Sequence, residues 1–240
     1  LFPYTTLFRS KMVLIEDCEP NIANVYKPIL QKTKMLLVKF SPMLDISLAI
    51  KSLQYVSEVH IISVLNECKE VLLILRPDYR APINFFAINI RNNQKTESYH
   101  FRKEQEFEAK ATLSSEILKF LYEPNSSILK AGAFKMISTD FSINKLHTNT
   151  HLYTSNNYLP HFPGRIFKVN TTWKTGTKEL SELKKQIPKA NLSTRNYPLT
   201  TEQLKKKIGL TDGGDIYLFA CTLTDGSKVI IECVKASLSI

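Results

Sequence analysis

The chain has no glycine before Gly132, yet the stretch from residue 35 to residue 75 is patterned as the interior of an α/β sheet. Residues 35–40 (MLLVKF), 59–64 (VHIISV) and 71–75 (VLLIL) are apolar runs of strand length. Ser41-Pro42 is predicted to open a helix, with Ser41 as N-cap and proline in the first turn. Met43, Leu44, Ile46, Ala49, Ile50 and Leu53 then fall on its buried side. A strand that is apolar throughout is one covered on both faces, which predicts a largely parallel sheet. Sheets of that kind hold a nucleotide-type ligand at a glycine-rich first strand–helix turn, where backbone and ligand come close. No residue before Gly132 supplies that turn. The pattern is that of the back half of a ligand-binding domain without its front half.

Later segments carry sharper local signals. Thr200-Thr201-Glu202-Gln203 has the form of a capping box, with Leu199 and Leu204 placed as a hydrophobic staple. Gly209 stands where a left-handed helix end belongs. Residues 215–223 and 228–234 read as strands joined through Asp225-Gly226, a hairpin turn. A helix over 177–187 stops at Pro188. Upstream, Pro77 and Pro82 bracket a linker over 78–81, where the first sheet is expected to end. Residues 83–90 then read as a strand, 91–105 as a polar segment, 118–121 as a strand, and Pro124 as the start of a helix running towards Ile137. Strands are expected again over 146–153 and 165–169. One helix between strands in that order suits an α+β ferredoxin-like layer.

Charge is uneven along the chain. The total is +10, and residues 165–207 hold eleven basic side chains against three acidic ones, an excess of +8. Such a surface attracts polyanions without reading their sequence. The plainer alternative is a solvated, lysine-rich face. The four cysteines (Cys18, Cys68, Cys221, Cys233) form no C-x-x-C pair and read as free thiols of a reducing compartment. No apolar run approaches the roughly 20 residues that span a bilayer, and no signal-peptide pattern is present, so a cytoplasmic protein is expected. His147 and His151 are four apart and would share a face on one strand. With no cysteine or carboxylate close by, no metal site is expected.

Several ordered segments together resemble bacterial class I S-adenosylmethionine-dependent methyltransferases that carry a ferredoxin-like segment and a THUMP-like C-terminal domain. They are residues 15–21 (IEDCEPN), 39–45 (KFSPMLD), 63–70 (SVLNECKE), 122–134 (YEPNSSILKAGAF), 149–155 (NTHLYTS) and 162–165 (FPGR). The link at 65–66 is too short for a parallel crossover, so it predicts an antiparallel hairpin, as at the end of such methyltransferase sheets. The resemblance implies an α/β plus α+β chain: residues 11–78 as the C-terminal part of a Rossmann-like sheet, 79–170 as a ferredoxin-like domain and 171–240 as a THUMP-like domain. Residues 1–10 (LFPYTTLFRS) look like translated adapter sequence and read as a non-native leader.

By the same resemblance, the parent enzyme transfers a methyl group from S-adenosylmethionine, with RNA as the expected substrate and partner. The glycine-rich cofactor loop and the Asp-Pro catalytic motif of that family would both lie upstream of Lys11, and neither has a counterpart here. The chain on its own is therefore expected to be inactive and to bind no cofactor, and its catalytic residues are unknown. Candidate active-face residues are Glu16, Asp17, Glu19, Ser41 and Asp45. Candidate RNA-binding residues are Lys130, Arg165, Arg195, Lys205, Lys206 and Lys207. A non-enzymatic nucleic-acid-binding or protein-interaction module is the alternative. Sequence upstream of Lys11 separates the readings.

Overall fold

A computed structural model describes residues 14–15, 18–92 and 95–236. The chain divides into two compact units, one of Leu1–Glu108 with Ser126–Ala133, the other of Ala109–Asn125 with Phe134–Ile240.

In the first unit, α1 (Ile22–Leu30) starts at Asn21, whose side-chain oxygen accepts from the Ala23 amide at 3.1 Å. Its buried face is Ile22, Tyr26 and Leu30. β1 (Leu36–Phe40), α2 (Ile46–Ser52), β2 (Val56–Val64) and β3 (Glu67–Leu75) follow, then β4 (Asn84–Ile90) and β5 (Thr96–Arg102). The sheet order is β1-β3-β2-β4-β5. β1 and β2 both run antiparallel to β3, which lies between them. The hairpin expected at residues 65–66 is present: Leu65 and Asn66 both have left-handed backbones, with φ of 52° and 65°, as a two-residue turn requires.

Three expectations need correcting here. The sheet is not largely parallel, since only β2 and β4 pair that way among the described residues. Nor is its first strand covered on both faces, since Leu37 is 51% exposed while Phe40 is buried. An apolar strand at a sheet edge imitates a two-sided strand when read as sequence alone. The third correction concerns the linker. The sheet does not stop at residues 78–81: β4 and β5 extend it, and the proposed boundary between 11–78 and 79–170 falls inside one sheet.

α3 (Lys103–Glu108) ends this part of the chain. The unit is completed from a distance by α4 (Ser126–Ala131), which packs on β2, β3 and β4. Its Ser126 shares a hydroxyl hydrogen bond with the buried Ser63 at 2.8 Å and donates its amide to Asn66 at 2.7 Å. The helix begins at Ser126 rather than Pro124 and ends at Gly132, whose φ of 80° breaks it from α5 (Met136–Asp140).

The second unit holds β6 (Phe120–Pro124), β7 (Asn144–His147), β8 (Thr150–Ser155), β9 (Gly164–Lys174), α6 (Thr177–Gln186), β10 (Asn191–Arg195), α7 (Thr201–Ile208), β11 (Ile216–Thr222) and β12 (Lys228–Lys235). These strands form one sheet in the order β10-β11-β12-β9-β6-β8-β7, so the two small domains expected at 79–170 and 171–240 share a sheet: β9 crosses residue 170 and pairs with β12. α7 shows the full capping box: the Thr200 hydroxyl accepts from the Gln203 amide, the Gln203 side chain accepts from the Thr200 amide, and Gly209 ends the helix at φ 76°.

Alternation along the strands separates two cores. Leu218, Ala220 and Ile230 pack under α6 and α7 with Leu183 and Leu204. Phe219, Cys221 and Ile231 face the other way, onto Leu121, Leu146, Leu152 and Phe167. The sheet curls around this second core. As a result the end of edge strand β10 meets the start of β8, although four strands separate them in the sheet.

Candidate nucleic-acid interface

Where the curl closes, polar side chains replace ladder hydrogen bonds. The Thr150 hydroxyl donates to the Thr222 carbonyl at 2.7 Å, and the Thr222 hydroxyl to the Asn196 carbonyl at 2.6 Å. The Asn196 amide group reaches His147 Nδ1 at 3.1 Å and Thr150 at 3.3 Å. Asn196 itself sits at φ 51°, a conformation asparagine tolerates better than most residues.

At this seam lies Glu123, with a side chain only 3% exposed. It stands directly opposite Arg165 in the β6–β9 register, so the two side chains share a face. Arg165 Nε donates to Oε2 at 2.6 Å, and Nη2 pairs with the same oxygen. Arg195, the last residue of β10, brings Nη2 to Oε1 at 2.6 Å and Nη1 to the Thr194 carbonyl at 2.9 Å. The Arg165 guanidinium also lies over the Phe167 ring, 5.4 Å from its centre. Gly164 makes the strand approach possible, because a Cβ there would overlap the Glu123 backbone carbonyl.

Lys145 lies buried in the same unit and donates to the His147 carbonyl at 2.9 Å and to that of Thr148. His151 stacks on Phe134 with ring centres 3.6 Å apart, and its Nδ1 is buried without a hydrogen-bond partner. Burial first, then the charges of Lys145 and Arg195, push the His151 pKa down to about 4, so the ring is neutral at physiological pH. The expectation that His147 and His151 share one strand is corrected: a turn at Thr148-Asn149 places them on β7 and β8. Among the described residues, no group of three histidine, cysteine or acidic side chains is placed to hold a metal ion. Among the same residues, no helix is long and apolar enough to cross a membrane.

The sequence-predicted cations divide. Arg165 and Arg195 come together on Glu123. Lys205 pairs with Asp212. Lys206 and Lys207 are exposed in the last turn of α7 and make no ion pair among the described residues, and Lys184 and Lys185 are exposed on α6. Lys130 does not join them. It belongs to the first unit, where its ammonium donates to the Leu44 carbonyl at 2.8 Å and burial lowers its pKa.

Of the candidate active-face residues, the structure describes Glu19, Ser41 and Asp45. The leader expected at residues 1–10 lies outside the described residues, as do Lys11, which marks the expected start of the methyltransferase part, and the candidates Glu16 and Asp17. Glu19 is exposed. Ser41 is not the N-cap of α2: its hydroxyl accepts from the Met43 amide at 3.2 Å in a short turn. Asp45 is the cap, accepting from the Leu48 amide at 2.9 Å. The β1–α2 turn is therefore built from side-chain caps, and it offers no glycine that would let S-adenosylmethionine approach the backbone. The glycines of the chain all lie at 132 or beyond. Sequence reasoning also missed Glu123, Lys145 and Asn196. For Glu123 the available signal was an acid directly after the apolar residues Phe120-Leu121-Tyr122, with glycine and arginine together at Gly164-Arg165.

Residues 120–163 match the ferredoxin-like domain family, and residues 164–235 match the THUMP domain-like family. The join falls at the first residue of β9. No curated protein matches the chain. A solved structure from Porphyromonas gingivalis W83, named there a "putative methyltransferase", is similar over 94% of this chain, with 33% sequence identity and a TM-score of 0.88. The present chain spans 57% of the length of that protein. It is thus a mixed α/β chain in which a ferredoxin-like and a THUMP-like segment contribute strands to one sheet.

Proposed function

We propose that this chain supplies RNA binding to a methyltransferase that acts on RNA. The observation that carries the reading is the cationic face of the THUMP-like segment. Lys184, Lys185, Lys206 and Lys207 are exposed on α6 and α7, whose apolar sides are fixed in the core; Arg165 and Arg195, about one-third exposed, lie on the other side of the sheet with Phe167 and Cys221 and form a second cationic patch. Cations on rigid helices give phosphate contacts that position a nucleic acid without reading bases. The likeness to the Porphyromonas structure supports the methyltransferase part. S-adenosylmethionine as methyl donor belongs to the same proposal, as does a cytoplasmic location.

Photo-crosslinking of the chain to a single-stranded RNA, followed by mass spectrometry, tests where RNA lies. Cross-linked peptides are expected from residues 164–210. Cross-links confined to residues 18–108 would reject this face as the binding surface. An absence of cross-links would favour a protein-interaction module.

A further inference from the structure

A lone buried carboxylate needs one arginine, and Glu123 has two. Each guanidinium carries five N–H donors. Arg165 uses Nε and Nη2 on the carboxylate, and Arg195 uses one donor on the carboxylate and one on the Thr194 carbonyl. Two of five are thus engaged on each, and three remain. The Arg165 and Arg195 side chains are 35% and 34% exposed, while the Glu123 side chain between them is 3% exposed. One buried negative charge against two part-exposed positive ones leaves an excess of one positive charge, held on a rigid mount.

An ion triad built only for stability gains little from the second arginine, because desolvation offsets the added attraction. A fork built to receive an anion needs that arrangement. The carboxylate fixes two guanidiniums, each of which keeps N–H donors of the kind that phosphate oxygens accept from.

We propose that Arg165 and Arg195, held by the shared Glu123 carboxylate, form a phosphate-binding fork whose ligand is a phosphodiester of RNA. Glu123 is a positioning residue that touches no ligand. The choice of RNA rests on the functional reading above; the fork itself rests on the geometry of β6, β9 and β10.

Such a fork gives the Glu123 variant an unusual sign. Glu123→Gln removes a negative charge beside the site, so a diffuse cationic patch would bind RNA more tightly. A fork that has lost its mount binds more weakly. Arg195→Lys keeps the charge but loses the planar donor pair. By fluorescence anisotropy with a labelled single-stranded RNA, each variant is expected to lose about tenfold in affinity, the scale of one charge-assisted hydrogen-bonded contact. Thermal melting accompanies each titration, and if Glu123→Gln does not fold, Arg195→Lys decides. Normal RNA binding by the wild type with unchanged or tighter binding by the folded variants overturns the fork and leaves the RNA reading standing. If the wild type binds no RNA, the RNA reading fails, and inorganic phosphate followed by arginine side-chain NMR decides the fork. Saturable shifts at Arg165 and Arg195 support it, and unmoved resonances overturn it.

Discussion

Replacing Gly164 with alanine is expected to destabilise the second unit by about 3 kcal/mol, the upper range for forcing atoms into a packed interior. A methyl group there would overlap the Glu123 carbonyl oxygen and lie 2.7 Å from a Phe162 ring carbon and 2.9 Å from the Pro124 Cα. Two of those neighbours are backbone, which cannot rotate away. Relief requires β9 to draw back from β6 at the Pro124–Gly164 pair, next to the pair that joins Glu123 to Arg165. Stability and anion binding therefore fall together. Urea unfolding measures the first: the midpoint should drop with little change in slope. A wild-type midpoint would mean that the two strands do not approach as described.

The second large effect is expected in the core of the curl. Phe219 is 1% exposed, and its ring meets Phe167 edge-on at 5.0 Å, within a cluster that also holds Leu121 and Leu152. Phe219→Ala is expected to cost about 3–5 kcal/mol, the range for truncating a buried aromatic side chain. The residue links β11 to β6, β8 and β9, so its loss loosens the packing that carries β10 towards β8. Unfolding by urea, monitored by circular dichroism, checks this. A loss below about 1 kcal/mol would place Phe219 outside the packed core.

What the sequence disclosed follows from the range of the interactions. The Thr200–Gln203 cap, the Gly209 helix end, the helix stop at Pro188 and the hairpins at 65–66 and 225–226 are set by residues within five of one another, and all are present. The cap of α2 reads one turn too early in the sequence because serine and aspartate both favour that role. Ser41 satisfies Met43 in its own turn and leaves the cap to Asp45. The histidine pair reads as one strand because the turn that separates its members carries neither glycine nor proline.

The rest depends on partners remote in sequence. Glu123 meets arginines 42 and 72 positions away, and neither separation has a local signature. β4 joins the first sheet by parallel pairing to β2, across a proline-flanked stretch that reads as a boundary. Lys130 resembles part of the basic surface only through its neighbours in sequence. Its helix packs instead on the first sheet.

The central claim is that the cationic face of the second unit binds RNA through its phosphates. The most direct measurement is the affinity of the whole chain for a single-stranded RNA as a function of salt, for the wild type and for a variant with Lys205, Lys206 and Lys207 all changed to glutamate. Each phosphate contact contributes a slope of about −0.7 in log affinity against log salt. A steep slope is expected for the wild type, and for the variant weaker binding with a shallower slope, to the same degree on RNAs of different sequence. Affinity that is unchanged in the variant, or insensitive to salt in the wild type, would contradict the claim.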